Sequence, residues 1–185
     1  CFPFNYVQLH GVNYEKAFGK GKKYYYFEIR EAQRKLLKKI PYAGMAVSYD
    51  LSVEDNVHFK NRRPVGERLA RLALHYTYGQ KEVVPCGPLP REAVLHENLI
   101  RIKFDFAGGL QTSDDALVRT VEVAGADGKF YPADGRIEEE QLLVACPEVQ
   151  SPCRVHYAFD AYPCQANLVN GEGLPAAAFE IEITQ

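Results

Sequence analysis

The hydrophobic period of this chain changes once, near residue 90, and that change limits the folds open to it. Before it, apolar residues recur at helical spacing: Ile29, Ala32, Leu36, Leu37 and Ile40 predict a helix over about 27–40. Pro41 stops that helix. Phe4 to His10 is a short β-prone run, and Gly44 to Leu51 is a largely apolar run bounded by turn residues, as a buried parallel strand would be. Pro64 opens a second helix, where a first-turn proline is tolerated, with Val65, Leu69, Leu72, Ala73 and Tyr76 as its stripe and Gly79 at its close. Strand–helix–strand–helix is the grammar of an α/β domain.

After residue 90 the period is two. Ile100, Ile102, Phe104 and Phe106 fall on one face, with Arg101, Lys103 and Asp105 on the other. Val155, Tyr157 and Phe159 alternate with Arg154, His156 and Asp160; Phe179, Ile181 and Ile183 alternate with Glu180 and Glu182. Gly108-Gly109, Asp127-Gly128, Asp134-Gly135 and Gly171–Gly173 read as turns between strands. The pattern predicts an antiparallel, sandwich-like β domain over 91–185, joined by the stiff Pro85–Pro90 link to an α/β domain over 1–90. The first half supplies only about two parallel strands, whereas a doubly wound domain needs about four or more with both faces covered. The remaining strands are therefore expected upstream in a longer gene product or on another chain.

Composition narrows the function classes. With 22 Lys+Arg against 24 Asp+Glu the net charge is −2, which gives no electrostatic reason to expect nucleic acid as a partner. No apolar run reaches the length of a membrane helix, so no membrane partner is expected. The start, Cys1-Phe2-Pro3-Phe4, has neither an initiator Met nor the charged region of a signal peptide, as expected of a piece of a longer product. None of the five cysteines forms a CxxC pair. Cys146 and Cys153 flank a Pro-containing turn and are candidates either to face each other across a hairpin or to act as small buried apolar residues. No set of His, Cys and carboxylates has zinc or calcium spacing, so neither metal nor cofactor is expected.

The sharpest chemical constellation is Asp55-Asn56-Val57-His58. It follows the predicted buried strand and precedes the second helix, and sites of open α/β sheets lie beyond the carboxyl ends of strands. A carboxylate three residues before a histidine can orient the imidazole and leave the other nitrogen to take a proton from a hydroxyl. Alone, D-x-x-H equally describes an ordinary surface loop. Wider stretches carry more. Arg30-Glu31-Ala32-Gln33, Gly44-Met45-Ala46-Val47, His58 with Lys60-Asn61, and Pro64–Ala70 occur in order. Ala107–Leu110, Gly128–Asp134, Val155–Phe159, Asn167-Leu168 and Glu172–Ala176 follow them. Together they resemble the sialate O-acetylesterase family of SGNH-type carbohydrate esterases, over essentially the whole chain but only the C-terminal portion of the family.

The resemblance implies a flavodoxin-like three-layer α/β esterase domain with accessory β-structure, and removal of O-acetyl groups from sialic acid or related sugars. It makes His58 the general base. The family's nucleophile lies in an upstream Gly-Gln-Ser-Asn-like segment, and its oxyanion donors lie in other upstream blocks. None of these occurs here, and Ser48, Ser52, Ser113 and Ser151 stand in other contexts. The chain alone is therefore expected to be inactive, working with an N-terminal half from the same precursor or a second chain. Members often carry Asp two residues before the His and Pro just after it, where this chain has Asn56 and Phe59. The acid is read as Asp55, with Asp50 and Glu54 behind it. Asn61, Arg62 and Arg63 are candidates to line the sugar site or to cap the next helix. The resemblance also suggests an exported or lysosomal setting.

Further features have plainer readings. The basic stretch Lys16, Lys20, Lys22, Lys23, Arg30, Arg34, Lys35, Lys38 and Lys39 reads first as a solvated face, with attraction of an anionic sugar as its functional alternative. Tyr24–Phe27 reads as packing surface before sugar platform, or as cover where the other half docks. His10 ends a predicted strand, where a site can lie, while His75, His96 and His156 read as structural. Competing functions are a carbohydrate-binding or interaction module in 91–185 and a purely structural β domain that closes a larger enzyme.

Overall fold

The two strands expected in the first half pair in parallel. In the computed structural model, which describes residues 2–21, 25–58 and 60–184, β1 (Phe4–Val7) runs beside β2 (Ala43–Ala46). The chain folds as two compact units, residues 1–86 with 160–164 and residues 87–159 with 165–185.

In the first unit, α1 (Tyr14–Phe18) and α2 (Tyr26–Leu36) lie between the strands, and α3 (Arg63–Leu72) follows β2 and continues as a π turn over Ala73–Thr77. Asn13 caps α1 by accepting the Lys16 amide at 3.3 Å. The faces of β1 divide the two larger helices. Tyr6 donates its hydroxyl to the Gln33 carbonyl of α2 at 2.6 Å, and the following Gln8 side chain donates to the Arg30 carbonyl at 3.0 Å. On the opposite face, a Cβ on Gly44 would meet Asn5 Oδ1 at 2.6 Å and Leu72 of α3 at 3.0 Å, so glycine there permits the close approach of helix to strand.

Helix α2 corrects the sequence reading. Its predicted apolar stripe faces outward, with Ile29 48 % and Leu36 37 % exposed. Its buried residues are Arg30, Glu31 and Arg34. Arg30 and Arg34 are therefore not part of a solvated basic face. The inward face is held by polar bonds: Arg34 grips Glu31 with two bonds of 2.8 and 2.7 Å, and Lys35 adds a contact at 3.2 Å. A paired, fork-shaped arrangement offsets the desolvation that an isolated buried charge would suffer. Lys22, Lys23 and Tyr24 lie outside the described residues.

The second unit follows its alternation closely. Strands β3 (Leu89–His96), β4 (Leu99–Asp105), β6 (Val121–Ala124), β7 (Phe130–Pro132), β8 (Asp134–Glu138), β9 (Gln141–Ala145), β10 (Arg154–Tyr157) and β12 (Phe179–Thr184) form one sheet. Its order is β7-β6-β10-β12-β3-β4-β9-β8, and β5 (Gln111–Thr112) pairs separately with β11 (Leu168–Val169). The sheet is antiparallel except where β12 runs parallel to β3, so it differs from the expected all-antiparallel sandwich. Strands β7 and β8 stand at opposite ends of the order, yet only Ala133 separates them in sequence. One residue spans at most about 7 Å between its neighbours' Cα atoms, so the sheet curls until its edges meet. A bridge from Val118 to Gly135 draws the approach to β6 against β8 on the same side. This also corrects Asp134-Gly135, which lies in β8 rather than in a turn; Val118 sits 3.1 Å from where a Gly135 Cβ would be. The turn falls instead at Glu139-Glu140, both with positive φ.

Ile100, Ile102, Leu142, Leu143, Val155, Tyr157, Leu168 and Phe179 are fully buried in this unit. Each large aliphatic chain contributes roughly 2 kcal/mol by leaving water. Tyr157 accepts the Leu168 amide on its hydroxyl at 2.7 Å, so its polar end is satisfied. His156 is buried between the rings of Phe130 and Phe159, at centroid distances of 3.5 and 3.9 Å, with Glu180 2.9 Å from Nε2. Cys146 and Cys153 form no disulfide; the Cys146 thiol lies 3.7 Å from the Pro132 carbonyl.

Candidate active site

Parallel pairing puts the carboxyl ends of β1 and β2 at the same edge, where open α/β sheets place their sites. The chain beyond β1 then runs alongside the chain beyond β2. Gln8 donates its amide to the Ala46 carbonyl at 2.8 Å, Gly11 to the Ser52 hydroxyl at 2.7 Å, and Asn13 to the Glu54 carbonyl at 3.0 Å. Helix α2 holds the first of these segments through Gln33, whose side-chain Oε1 accepts the Leu9 amide at 2.8 Å. Arg30 donates to the His10 carbonyl at 3.2 Å and to the Asp160 carbonyl. No acid neutralises that guanidinium at hydrogen-bond range among the described residues, and burial pulls its pKa down to about 10.

The segment after β2 carries the predicted site residues. Val53 bridges Asn56 around a turn with Glu54 and Asp55 at its tip, and His58 follows, exposed. The Asn56 side chain accepts the His58 amide at 2.8 Å, a local bond that shapes the loop. Asp55 is exposed, and among the described residues no hydrogen bond or ion pair joins it to His58. The other two acids are occupied. Asp50 takes two bonds from Arg68, at 2.7 and 2.5 Å, and Glu54 pairs with Lys16 at 2.6 Å. Asn61 and Arg62 are exposed in the same loop, just before α3, and Arg62 caps that helix with its backbone only. His58, Asp55, Asn61 and Arg62 thus share one loop, with Asp55 and His58 three residues apart in sequence and not bonded among the described residues. Phe59 lies outside the described residues.

His10 joins them. It is half-buried at the end of β1, hydrogen-bonded with the Val57 backbone, and close enough to Arg30 and His58 to feel both charges. Burial first, then those charges, lower its pKa, so its neutral form is favoured. Sequence reading marked His10 only as a strand-end histidine. Arg30, set beside rather than within the Ile29–Leu36 stripe, is the signal for what surrounds it. The nearby serines are structural: Ser48 is buried and donates to the Gln8 carbonyl at 2.7 Å, and Ser52 accepts from Gly11. An exposed imidazole in this position can accept a proton, but ester cleavage also needs a nucleophile and an oxyanion site. No group of three or more His, Cys, Asp or Glu among the described residues is placed to hold a metal ion.

A solved structure resembles this chain over most of its length. A carbohydrate acetylesterase from Xanthomonas citri superposes on 96 % of this chain with a TM-score of 0.86 and 31 % sequence identity. The chain is also homologous to sialate O-acetylesterases, the relationship its residues suggested. It is 27 % identical to the mouse enzyme over 99 % of this chain and 36 % of that protein. It is 25 % identical to the human enzyme over 89 % of this chain and 33 % of that protein. The chain thus spans about a third of the length of these relatives and 40 % of the solved one. No protein-family model matches it.

Proposed function

We propose that this chain is the base-bearing, C-terminal part of a serine esterase that removes O-acetyl groups from sialic acid or related sugars, acting in an exported or lysosomal setting. The observation that carries this reading is the position of His58, exposed at the carboxyl edge of the parallel strands, in a chain that superposes on a carbohydrate acetylesterase over 96 % of its length. The nucleophilic serine and the oxyanion donors are supplied by an N-terminal half. The outward apolar face of α2, with Ile29 and Leu36, supports the existence of such a neighbour.

In the reaction, the serine hydroxyl attacks the acetyl carbonyl while His58 takes its proton. His58 then gives that proton to the departing sugar oxygen, leaving an acetyl-serine. Water attacks the acetyl-serine with His58 again as base, releasing acetate and restoring the serine. Asp55 is the acid nearest in sequence without a cationic partner, and a small loop adjustment on assembly brings it to the imidazole. Asn61 and Arg62 bind the sugar; a guanidinium suits a sugar carboxylate.

The test is His58→Ala in the esterase assembled with its serine-bearing half. The expected outcome is a fall in kcat of roughly 10²–10⁴-fold with folding intact. Unchanged turnover by a folded variant makes the chain an accessory part and removes the reading.

A further inference from the structure

Residues 160–164 depart from the unit that surrounds them in sequence. The chain leaves the β unit after Phe159, packs with the α/β unit from Asp160 to Cys164, and resumes the β unit at Gln165. Within the α/β unit this strap makes three contacts with the start of the site. Arg30 donates to the Asp160 carbonyl, the Val12 amide donates to the Ala161 carbonyl at 3.0 Å, and Pro163 lies against Gly11. A Cβ on Gly11 would stand 2.8 Å from Pro163 Cδ, 3.1 Å from the Ala161 oxygen and 3.2 Å from Tyr162 Cα. Only a residue without a side chain fits beneath the strap.

What the strap covers is what bonds the base-bearing loop. Gly11 and Asn13 donate to Ser52 and Glu54, and His10 is hydrogen-bonded with the Val57 backbone beside His58. Tyr162 of the strap lies near enough to Glu54, Lys16 and Asp55 to feel their charges. A contiguous series of contacts therefore runs from residues 160–164, through 10–13, to 52–58. Arg30 stands at its centre, fully buried, with one guanidinium bonding both the strap and the His10 carbonyl. Its hydrogen-bond acceptors in these contacts are backbone carbonyls, and burying a guanidinium there is costly.

We propose that the Asp160–Cys164 strap is a brace for the His58 loop, with Arg30 and His10 as positioning residues that carry its effect. The brace deepens the esterase reading by giving residues 160–164 a part in the site, but its structural claim stands without that reading. Coupling of this kind is demonstrated when a change at one end moves an observable at the other without direct contact.

Hydrogen exchange on this chain supplies that observable. Gly11→Ala and Pro163→Ala each alter the strap contact. The amides to follow are those of Asn13 and His58, for which the strap is not the acceptor, with Met45 and Ala46 of β2 as internal controls. The brace predicts exchange about tenfold or more faster at Asn13 and His58, with little change in β2. Arg30→Lys retains a cation and gives a smaller effect than Arg30→Met. In the assembled esterase the same variants lower kcat more than they raise KM. Folded Gly11→Ala and Pro163→Ala chains with unchanged exchange at Asn13 and His58 overturn the proposal. Should Gly11→Ala fail to fold, Pro163→Ala and Arg30→Lys decide it on the same amides. Exchange requires neither serine nor substrate, so failure of the brace and failure of the esterase reading are told apart.

Discussion

The β unit and helix α2 of the α/β unit handle their apolar residues in opposite ways. In the β unit, Ile100, Ile102 and Phe104 point inward as their alternation dictates, and Val155 and Phe179 join them. In the α/β unit, helix α2 turns Ile29 and Leu36 outward and buries Arg30, Glu31 and Arg34. The β unit closes its sheet with its own strands and satisfies its pattern internally. The α/β unit has two parallel strands among the described residues, and parallel sheets are stable only with more strands and both faces covered. Its outward apolar stripe is what the proposed N-terminal half would cover.

That contrast can be broken by mutation. Ile102→Ala, at a site with no exposure, is expected to cost about 2–5 kcal/mol in a denaturant melt of the chain. A loss much below that range would mean the β core is looser than its packing indicates.

A second expectation concerns pH and bears on the α/β unit alone. Burial, then Arg30 and His58, lower the His10 pKa from its usual 6.5. The folded chain therefore binds this proton less tightly than the unfolded chain, and stability rises with pH. The contribution is fully present above pH 6.5 and is lost as the pH falls below it. Melts of His10→Gln against the parent between neutral and mildly acidic pH should show a flatter profile for the variant. Equal profiles would remove His10 as the titrating group.

The smallest effect sharpens the comparison most. Ile29→Ala, with Ile29 48 % exposed, should shift the stability of this chain by no more than about 0.5 kcal/mol. In the assembled esterase the same change should weaken association, because the residue is then covered. A large effect in the chain alone would mean the α2 stripe is already packed.

Much of the fold was legible because it rests on local signals. Alternation over 99–106 and 179–183 marked β4 and β12, and Pro64 with its following stripe marked α3 within a residue of its start. The inverted burial of α2 was not legible, because a helical stripe shows which residues share a face and not which neighbour that face meets. The parallel β12–β3 pair and the curled sheet depend on contacts between residues some 90 apart, Ala93 with Ile183 and Val94 with Thr184. At the site, Asp55-Asn56-Val57-His58 stood out as a constellation. Asp50, a reserve choice for the acid, turned out to be held by Arg68, whose approach no spacing announced. The strap at 160–164 left no periodic trace, since its role comes from backbone carbonyls at Asp160 and Ala161.

The most direct test of the central claim is acetate release from an O-acetylated sialic acid, measured for this chain alone, for a serine-bearing N-terminal half alone, and for the two together. The account predicts turnover only in the mixture. Stoichiometric turnover by the 185-residue chain by itself, or full activity of the N-terminal half without it, would contradict the account.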